Sequence, residues 1–458
     1  MEKCYAIVLA AGQGTRMKSK LFKVMHPVMG IPMVEHVVQA AKQAGIDRVI
    51  AVTGVGAEVV QDHLGDMCEY AFQAEQLGTA HAVMQAGDLL AGEAGTTVIL
   101  AGDTPLLTSG TLKSLIDQHI QNKASATVLT AMAEDPSGYG RVVRGEDDSV
   151  AKIVEDKDAT PEEKAIQEIN TGTYCFDNAL LFEALGQVGN DNAQGEYYLP
   201  DVISILKEAG HLISAYVLED MDEALGVNDR VALSQASQLM RNRINEAHMR
   251  NGVTLIDPTN TYIEPSVEIG SDTVIEPGVY LKGQTVIGQE TFIGAHSEIV
   301  DSQIADGAKI THSVIEEAIV GPLATVGPFA RLRKGAELKE GVHIGDFVEV
   351  KNSVIGKKSQ SGHHAYIGDA EIGEHVNVGC GVIFANYNGR DKSKTIVGNH
   401  VFIGSNSNLV APVKIDDHAF IAAGSTINKD VPKDALAIAR ARQEIKENYA
   451  NKLPYPAE

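Results

Sequence analysis

Residues 262–300 read YIEPSVEIGSDTVIEPGVYLKGQTVIGQETFIGAHSEIV, with a branched aliphatic residue at every sixth position. The positions of this repeat are Ile263, Ile269, Ile275, Leu281, Ile287, Ile293 and Ile299. A period of six fits neither a helix nor a plain two-residue alternation. It is typical of a parallel β-helix, in which each hexad supplies a short strand and a turn. Because stacked coils lie ~4.8 Å apart, one coil cannot bury its own apolar column, and the repeat must be long.

The repeat extends from about residue 252 to about residue 431. The same spacing returns at Val326, Leu332, Leu338, Ile344 and Val350, at Ile372, Val378 and Phe384, and at Ile403, Leu409, Ile415, Ile421 and Ile427. A polar and basic insertion, Asn386–Thr395, interrupts it, and such insertions form loops on one face, often the binding face. Ser361–Tyr366 has no branched aliphatic residue at the sixth position between Ile355 and Ile367. We predict that this second segment breaks the repeat, so that its side chains need not point inward.

The composition bounds the class of protein. A net charge of −23 over 458 residues argues against nucleic acid as a partner, because phosphate backbones need clustered Lys and Arg. The four cysteines lie far apart without a CxxC pair, which favours a reducing cytoplasm over a disulfide framework or a zinc site. The first apolar run, Tyr5–Ala11, breaks at once into a Gly-rich loop, so we expect no signal peptide. No segment approaches the ~20 apolar residues of a membrane span.

The first half alternates apolar strands with amphipathic helices. The predicted strands are Tyr5–Leu9, Arg48–Val52 and Thr97–Leu100, and the predicted helices are Met33–Ala44, Ala80–Leu90 and Leu112–Gln121. This alternation predicts a parallel sheet covered by helices on both faces. Arg230–Met249 reads as one long helix that links the two halves. We therefore predict a first domain at 1–229, a linker helix at 230–251 and a repeat domain with a C-terminal tail at 252–458.

A glycine-rich loop, Leu9-Ala10-Ala11-Gly12-Gln13-Gly14-Thr15-Arg16-Met17, follows the first strand directly. Glycines at the carboxyl end of a parallel strand allow backbone amides to approach an anion closely. The loop is not a Walker motif, and it lacks the third glycine of a dinucleotide fingerprint. The whole string, with Lys23 downstream, resembles the sugar-phosphate nucleotidyltransferases. Phe22 replaces a frequent proline of that family, and we expect a repacked loop rather than lost chemistry.

Further motifs follow in the order of that family. They are Gln73–Thr79, Ala101–Asp103, Gly138–Arg141, Ile153–Glu155, Asn170–Gly172 and Gly226–Asn228. Together with the repeat, they make the whole chain resemble the family of bacterial bifunctional N-acetylglucosamine-1-phosphate uridyltransferases and glucosamine-1-phosphate N-acetyltransferases. The resemblance implies an α/β chain with an N-terminal Rossmann-like nucleotidyltransferase domain. It also implies that the C-terminal hexapeptide repeats form a left-handed parallel β-helix.

Uridylyl transfer joins two anionic reactants, so catalysis consists mainly of positioning and charge neutralisation. By resemblance, Lys23 and Arg16 offset phosphate charge, while Asp103 and Asn228 hold Mg²⁺. The resemblance implies that UTP and the nucleotide sugar are bound by Leu9, Ala10, Ala11, Gly12, Lys23, Gln73, Gly78, Thr79, Gly140, Glu155, Asn170 and Asn228. Within this set, Gln73, Gly78 and Thr79 would read uracil, and Gly140, Glu155 and Asn170 would hold the acetylated sugar. Taken alone, Asp103 could instead cap a helix that follows Pro105.

Acetyl transfer to an amine needs a base, and histidine titrates in the useful range. His363 matches the proton acceptor of the family by position, and His364 does not. By resemblance, Arg333, Lys351, Tyr366 and Asn377 bind the sugar phosphate, although both cations could simply point outward. Acetyl-CoA would contact Cys380, Asn386, Tyr387, Ser405, Ala423 and Arg440. Cys380 replaces a frequent alanine, and without a His or acid at catalytic spacing we expect a backbone contact rather than a covalent acyl carrier.

The resemblance predicts a cytoplasmic homotrimer that makes cell-wall precursors. Acetyl-CoA would acetylate glucosamine 1-phosphate, and UTP with Mg²⁺ would convert the N-acetylglucosamine 1-phosphate to UDP-N-acetylglucosamine. One alternative is another NDP-sugar pyrophosphorylase with a fused acyltransferase. A second is an inactive regulatory module on the same folds, because a fold alone does not imply activity. The joint presence of Lys23, Asp103, Asn228 and His363 argues against the inactive module.

Overall fold

A computed structural model of the chain describes residues 3–146, 149–192 and 194–454. The chain divides into two compact units, Met1–Arg241 and Asn242–Glu458. The division falls inside the helix Arg230–Arg250. Asp229 begins this helix, because its Oδ1 accepts hydrogen bonds from the backbone amides of Val231 and Ala232 at 2.9 Å each.

The first unit contains a mixed sheet and its covering helices. Its strands are β1 (Cys4–Ala10), β2 (Pro27–Val28), β3 (Ile31–Pro32), β4 (Arg48–Thr53), β5 (Glu69–Phe72), β6 (Thr96–Ala101), β7 (Ala126–Met132), β8 (Gly140–Arg144), β9 (Val150–Val154), β10 (Glu168–Asp177) and β11 (Ile213–Val217). Its helices are α1 (Met33–Gln43), α2 (Ala57–Leu64), α3 (Thr79–Met84), α4 (Gly87–Leu90), α5 (Ser109–Asn122), α6 (Pro161–Lys164), α7 (Asn178–Leu185), α8 (Asp201–Glu208) and α9 (Arg230–Arg250). The main sheet has the order β11-β7-β10-β6-β1-β4-β5, and the antiparallel pair β8–β9 joins it through β10.

The sheet departs from the prediction at one strand. β10 runs antiparallel to both β6 and β7, so the predicted parallel sheet is mixed at this strand. The described residues between β7 and β10 form the β8–β9 pair and the short helix α6, and β8 itself pairs antiparallel with β10. The predicted helix Ala80–Leu90 is two helices, α3 and α4. Thr108, not Asp103, caps α5, since its Oγ1 accepts from the Thr111 amide at 3.1 Å.

Two apolar clusters cover the two faces of this sheet. Alternate residues of β1 enter them, with Ala6 and Val8 in one cluster and Tyr5 and Ile7 in the other. A strand that is apolar on both sides is typical of a sheet packed between layers of helices. The carboxyl end of β1 therefore carries the glycine-rich loop out of a rigid core.

The second unit is a three-sided parallel β-helix, in which strands on one face recur about every 18 residues, as from Val274 to Phe292. The first face contains Thr254–Leu255, Val274–Ile275, Phe292–Ile293, Lys309–Ile310, Thr325–Val326, His343–Asp346, Gln360–His363, Asn377–Val378, Phe402–Ile403, Phe420–Ile421 and Leu436–Ala437. The second face contains Tyr262–Ile263, Tyr280–Lys282, Glu298–Val300, Val314–Glu316, Arg331–Leu332, Glu349–Lys351, Tyr366–Gly368, Ile383–Ala385, Asn408–Val410 and Thr426–Ile427. The third face contains Glu268–Ile269, Val286–Ile287, Gln303–Ile304, Ile319–Val320, Glu337–Leu338, Val354–Ile355, Ala370–Ile372, Thr395–Val397 and Val413–Ile415. Nearly all of the sixth-position residues are buried in one continuous core, as predicted.

The segment around His363 does not break the repeat, and this prediction is wrong. Gln360–His363 is a regular strand of the first face. Ser361 takes the inward position, pairing with Ile344 on one side and Val378 on the other, and it is buried. A hydroxyl is small enough to occupy the aliphatic column, so the coil keeps its register without an aliphatic residue. The Asn386–Thr395 insertion does leave the lattice, and the chain rejoins the third face at Thr395.

Candidate active sites

The glycine-rich loop brings Lys23 against its own backbone. Gly14 has a φ of +65°, and a Cβ there would lie 2.4 Å from Lys23 Cβ. Glycine is therefore required both for the left-handed backbone and for the close approach of the lysine stem. The ring of Phe22 packs on Gly56, where a Cβ would lie 1.8 Å from its Cζ. The Phe22 ring thus fills the space beside the loop.

The structure brings together the cations and the oxygen donors predicted from the sequence. The Lys23 ammonium forms an ion pair with the Asp103 carboxylate, and both side chains are 16% exposed. Lys23 Nζ also donates to Asn228 Oδ1 at 3.0 Å. Arg16 Nη2 donates to the same oxygen at 2.9 Å. The Val227 amide donates to the Asp103 carbonyl at 2.9 Å, which holds the two donor segments together.

A cavity of about 360 Å³ opens beside this cluster. Its lining includes Leu9, Ala11, Gly12, Lys23, Val24, Gln73, Gln76, Gly78, Thr79, Ala82, Ala101, Asp103 and Glu196. Ala10 is the exception in the predicted run, because it packs into the core and does not line the cavity. Gln76 was missed by sequence reasoning as a single residue, and its Nε2 donates to the Ala11 carbonyl.

The predicted uracil-reading residues are held by local hydrogen bonds. Gln73 Nε2 bonds the Gly78 carbonyl at 3.2 Å and lies 3.0 Å from His81 Nδ1. Gly78 has a φ of +114°, and a Cβ there would lie 2.5 Å from the Tyr197 carbonyl oxygen. The Thr79 hydroxyl accepts from the Leu199 amide at 3.0 Å. This wall of the cavity is preorganised.

The three predicted sugar residues lie side by side on neighbouring strands. A Cβ on Gly140 would be 3.5 Å from both Asn170 Cβ and Glu155 Oε1. Burial, followed by nearby carboxylates, raises the pKa of Glu155. Tyr139 precedes Gly140 in the chain, and its pKa is raised by burial and then by the charge of Asp103. This effect places Tyr139 near the ion pair of Lys23 and Asp103. The candidate sugar and metal residues are therefore neighbours.

In the second unit, His363 is paired with an acid that sequence reasoning missed. Asp346 Oδ1 lies 2.7 Å from His363 Nδ1, and the two residues face each other on consecutive coils. This hydrogen bond is the main cause that lowers the pKa of Asp346. The contact leaves His363 Nε2 as the ring nitrogen that can act as a base. The sequence did contain a signal for this pair, because Asp346 lies one coil before His363.

Positively charged side chains cluster at the carboxyl ends of two strands of the second face. Arg333 and Lys351 point outward, the alternative left open from the sequence, and Arg333 Nη1 donates to Glu349 Oε1 at 2.8 Å. Lys392, from the insertion, is close enough to Lys351 that it is the largest cause lowering the Lys351 pKa. Arg333 adds to this effect. Such a concentration of positive charge favours an anionic ligand, and the basic character of the insertion was the signal for Lys392.

The insertion also contributes Asn386, which is buried. Its Nδ2 donates to the Asp369 carboxylate and lies 3.5 Å from the Tyr366 hydroxyl. Gly368 permits this arrangement, because a Cβ there would lie 2.4 Å from the Tyr366 hydroxyl oxygen. Tyr366 and Asn386 therefore share one polar group. Asp369 was the member that the sequence did not reveal.

Four of the six predicted acetyl-CoA residues, Cys380, Ser405, Ala423 and Arg440, lie in a column along the corner that follows the first face. The Gly381 amide donates to the His364 carbonyl, and the Asn406 amide to the Cys380 carbonyl. One coil further, the Gly424 amide donates to the Ser405 carbonyl at 2.8 Å. Arg440 Nη1 ends the series by donating to the Ala423 carbonyl at 2.9 Å. We define the CoA column as His363, Cys380, Ser405, Ala423 and Arg440, a rise of four coils or ~19 Å.

Two predicted residues lie apart from these groups. Asn377 is on the outer surface of the first face, where its Oδ1 accepts from Gln360 Nε2 at 2.9 Å. Tyr387 is exposed on the insertion, and its hydroxyl donates to the Gly389 carbonyl at 2.7 Å. The Cys380 side chain is exposed, and none of the four cysteines, all of which the structure describes, forms a disulfide. Among the described residues, no helix is long and apolar enough to cross a membrane.

Comparison with protein families defines the class. The nucleotidyl transferase family matches residues 5–229. The family called GMPPB C-terminal domain matches residues 257–346, and the bacterial transferase hexapeptide family, with six repeats, matches residues 394–429. The protein is therefore a nucleotidyltransferase fused to a hexapeptide-repeat transferase. The repeats together form a left-handed parallel β-helix.

Full-length relatives identify the family. The chain is 60% identical over 455 residues to the bifunctional protein GlmU of Enterococcus faecalis (strain ATCC 700802 / V583), covering 99% of each chain. It is 57% identical over 453 residues to that of Listeria innocua, again covering 99% of each. Against that of Latilactobacillus sakei subsp. sakei, the identity is 58% over 449 residues, covering 98% of this chain and 97% of the relative. The chain belongs to the GlmU family of bifunctional proteins, which confirms the predicted enzyme with uridyltransferase and acetyltransferase activities.

Proposed function

We propose that the two units catalyse consecutive steps in the synthesis of UDP-N-acetylglucosamine. The neutral amine of glucosamine 1-phosphate attacks the acetyl carbonyl of acetyl-CoA, the C–S bond breaks, and the proton that the amine loses ends on the thiol of the released CoA. The phosphate of the resulting N-acetylglucosamine 1-phosphate attacks the α-phosphorus of UTP, which releases pyrophosphate. We assign the uridylyl step to residues 1–229 and the acetyl step to residues 252–458, with 230–251 as the joining helix.

In the uridylyl step, the Lys23 cluster would bind the triphosphate. Lys23 and Arg16 would move from the oxygens of Asp103 and Asn228 to the phosphate oxygens. A carboxylate and an amide oxygen that converge on one point suit Mg²⁺, which usually takes only one or two protein ligands. When bound, Mg²⁺ supplies positive charge against the phosphates. Gln73, beside the cavity, would orient the base.

The sugar would lie across Gly140, Glu155 and Asn170. A Cβ on Gly140 would touch Ile153, Asn170 and Glu155 at 3.4–3.5 Å, so glycine keeps this strand close to the two polar sugar residues. The Glu155 carboxylate and the Asn170 amide offer hydrogen bonds to hydroxyl and acetamido groups. These contacts would hold the sugar phosphate oxygen in line with the α-phosphorus, which is the main contribution a protein makes to such a reaction.

In the acetyl step, His363 would remove the proton from the attacking amine. Asp346 holds Nδ1, so that the imidazole presents Nε2 toward the substrate. Arg333, Lys351 and Lys392 would bind the sugar phosphate. Tyr366 and Asn386 would bind its hydroxyls.

The observation that carries the proposal is the CoA column. Its residues are far apart in sequence but successive in space, from the candidate base to Arg440. A run of ~19 Å at ~4.8 Å per coil suits an extended pantetheine arm, with its thioester near His363 and a phosphate near Arg440. Asn377 lies on the outer surface of the first face, and Tyr387 lies on the insertion. Both would contribute to the rim of the acetyl-CoA site.

One incubation tests the proposal. Protein, UTP, Mg²⁺, glucosamine 1-phosphate and acetyl-CoA should yield UDP-N-acetylglucosamine, CoA and pyrophosphate by mass spectrometry. Omission of acetyl-CoA should stop the product, and addition of N-acetylglucosamine 1-phosphate should restore it. Replacing UTP with other triphosphates, or the sugar with other sugar phosphates, tests the alternative pyrophosphorylase. A faster reaction with another pair would refute the proposed substrates, and no turnover of any pair would favour the inactive module.

We also propose that the protein is a cytoplasmic homotrimer that supplies cell-wall precursors. Phe329 and Phe347 stack at 5.5 Å on the outside of the β-helix, and both rings are exposed. Exposed aromatic rings of this kind suit an interface with a second copy. Four described cysteines that form no disulfide suit a reducing compartment. Sedimentation that finds a fully active monomer would contradict the trimer.

A further inference from the structure

Arg141 is the largest fully buried side chain of the described residues, with 2% exposure. Its Nη1 donates to the Tyr139 carbonyl, and its Nη2 donates to Asp156 Oδ1 at 3.1 Å. Nε has no partner within the part of the chain that the structure describes. Burying a guanidinium is costly, and replacing a buried ion pair by apolar side chains is often neutral or stabilising. A role in stability alone therefore explains this arginine poorly.

The strand register places Arg141 directly behind the candidate sugar site. Arg141 pairs with Val154 on β9 and with Ile169 on β10. One step along the same strands, Gly140 pairs with Asn170, and Glu155 follows Val154. Because side chains alternate along a strand, Gly140, Glu155 and Asn170 share one face, and Arg141 extends from the other.

The two hydrogen bonds of Arg141 reach both sides of that site. Tyr139 immediately precedes Gly140, and Asp156 immediately follows Glu155. One rigid guanidinium therefore joins the start of β8 to the end of β9, where the two strands carry the sugar residues. It also faces the Asp156 carboxylate, whose charge contributes to the raised pKa of Glu155.

We propose that Arg141 is a positioning residue that sets the spacing of Gly140 and Glu155 and so determines affinity for the sugar phosphate. This inference rests on the proposed uridylyl reaction. Arg141 touches no substrate, and it acts through the backbone at Tyr139 and through Asp156. A lysine keeps the charge but cannot donate in the same fork. The Lys variant should therefore lose spacing while it keeps the buried cation.

Steady-state kinetics of Arg141→Lys with UTP and N-acetylglucosamine 1-phosphate test the proposal. KM for the sugar phosphate should rise about tenfold, the equivalent of one hydrogen bond of ~1.4 kcal/mol, while KM for UTP stays within about twofold. Asp156→Asn keeps Arg141 and should raise the same KM. The double variant should be little worse than Arg141→Lys, because both changes break one contact. Arg144→Lys is the matched control, since Arg144 lies on the same strand as Arg141, pairs with Glu168 of β10 and should change neither KM.

The outcomes separate the proposal from its rivals. If Arg141→Lys leaves both KM values unchanged, or raises both together with a fall in melting temperature, Arg141 is only structural and the proposal is overturned. If Arg141→Lys does not fold, Asp156→Asn decides, because an unchanged sugar KM there refutes the proposal. If the wild-type protein makes no UDP-N-acetylglucosamine, the proposed function has failed, and this is seen before any variant is compared.

Discussion

Lys23 occupies the oxygens that we assign to the metal, so its removal should strengthen metal binding in the absence of nucleotide. The ammonium contacts the Asp103 carboxylate and lies 3.0 Å from Asn228 Oδ1, in a setting where Lys23 and Asp103 are 16% exposed. At ~3 Å and an effective dielectric constant of about 20, one ion pair is worth ~5 kcal/mol before desolvation is counted. When a metal ion displaces the Lys23 ammonium, hydration of the freed ammonium offsets most of this energy. The remaining cost of displacing the ammonium is roughly 1.5–2 kcal/mol. Lys23→Met should therefore bind divalent cations about 10- to 30-fold more tightly.

Mn²⁺ provides the assay, because its free form gives an electron paramagnetic resonance signal that bound Mn²⁺ loses. Titrations without nucleotide compare the wild-type protein with Lys23→Met. Lys20→Met is the control, since it removes an exposed cation of the same loop and should not change affinity. With UTP present, the gain should shrink, because phosphates draw Lys23 away from Asp103. A Lys23→Met variant that binds Mn²⁺ no more tightly than the Lys20→Met control would refute the reasoning.

Further changes test the other groups. His363→Ala should lower acetyl transfer by roughly 10²–10⁴-fold and leave uridylyl transfer intact, and Asp103→Asn should do the reverse. A mixture of the two variants should rebuild the pathway. Acetylation by His363→Ala at the wild-type rate would point to another base. Asp346→Asn should lower the acetyl-transfer kcat about tenfold, a fraction of the worth of the base, with KM for acetyl-CoA unchanged; a change in KM alone would contradict the orienting role. Burial and nearby carboxylates raise the pKa of Glu155, so it takes up a proton at a higher pH than an ordinary glutamate; KM for N-acetylglucosamine 1-phosphate should therefore rise on acidification, and Glu155→Gln should remove this dependence. The buried Ser361 Oγ has no partner among the described residues, so Ser361→Ala should raise the free energy of unfolding by about 1–3 kcal/mol in denaturant titrations, and a loss of stability would show that the hydroxyl is bonded.

Periodicity predicted the second unit well because each hexad is a local unit. A branched residue every six positions dictates which side chain points inward, whatever lies on the next coil. The prediction failed at Ser361 because the lattice tolerates a small polar side chain once its neighbours, Ile344 and Val378, hold the register. In the first unit, local patterns located β1 and β6 but not the direction of β10. A strand's direction is decided by its connection and by pairing across the sheet.

The sequence alone determined the parallel β-helix and the glycine-rich loop, because these depend on periodicity and local backbone geometry, whereas the candidate site residues were predicted from motifs shared with the family that the chain resembles. Only the tertiary structure decided which other side chains these residues contact. Asp346 meets His363 because consecutive coils stack in register, and Lys392 meets Lys351 because the insertion folds back on the cations of the second face. Arg141 finds Asp156 through the pairing of two strands. The coil period could have indicated the pairing of Asp346 with His363, but the contacts of Lys392 and Arg141 depend on register between separate segments, which no periodicity within one segment encodes.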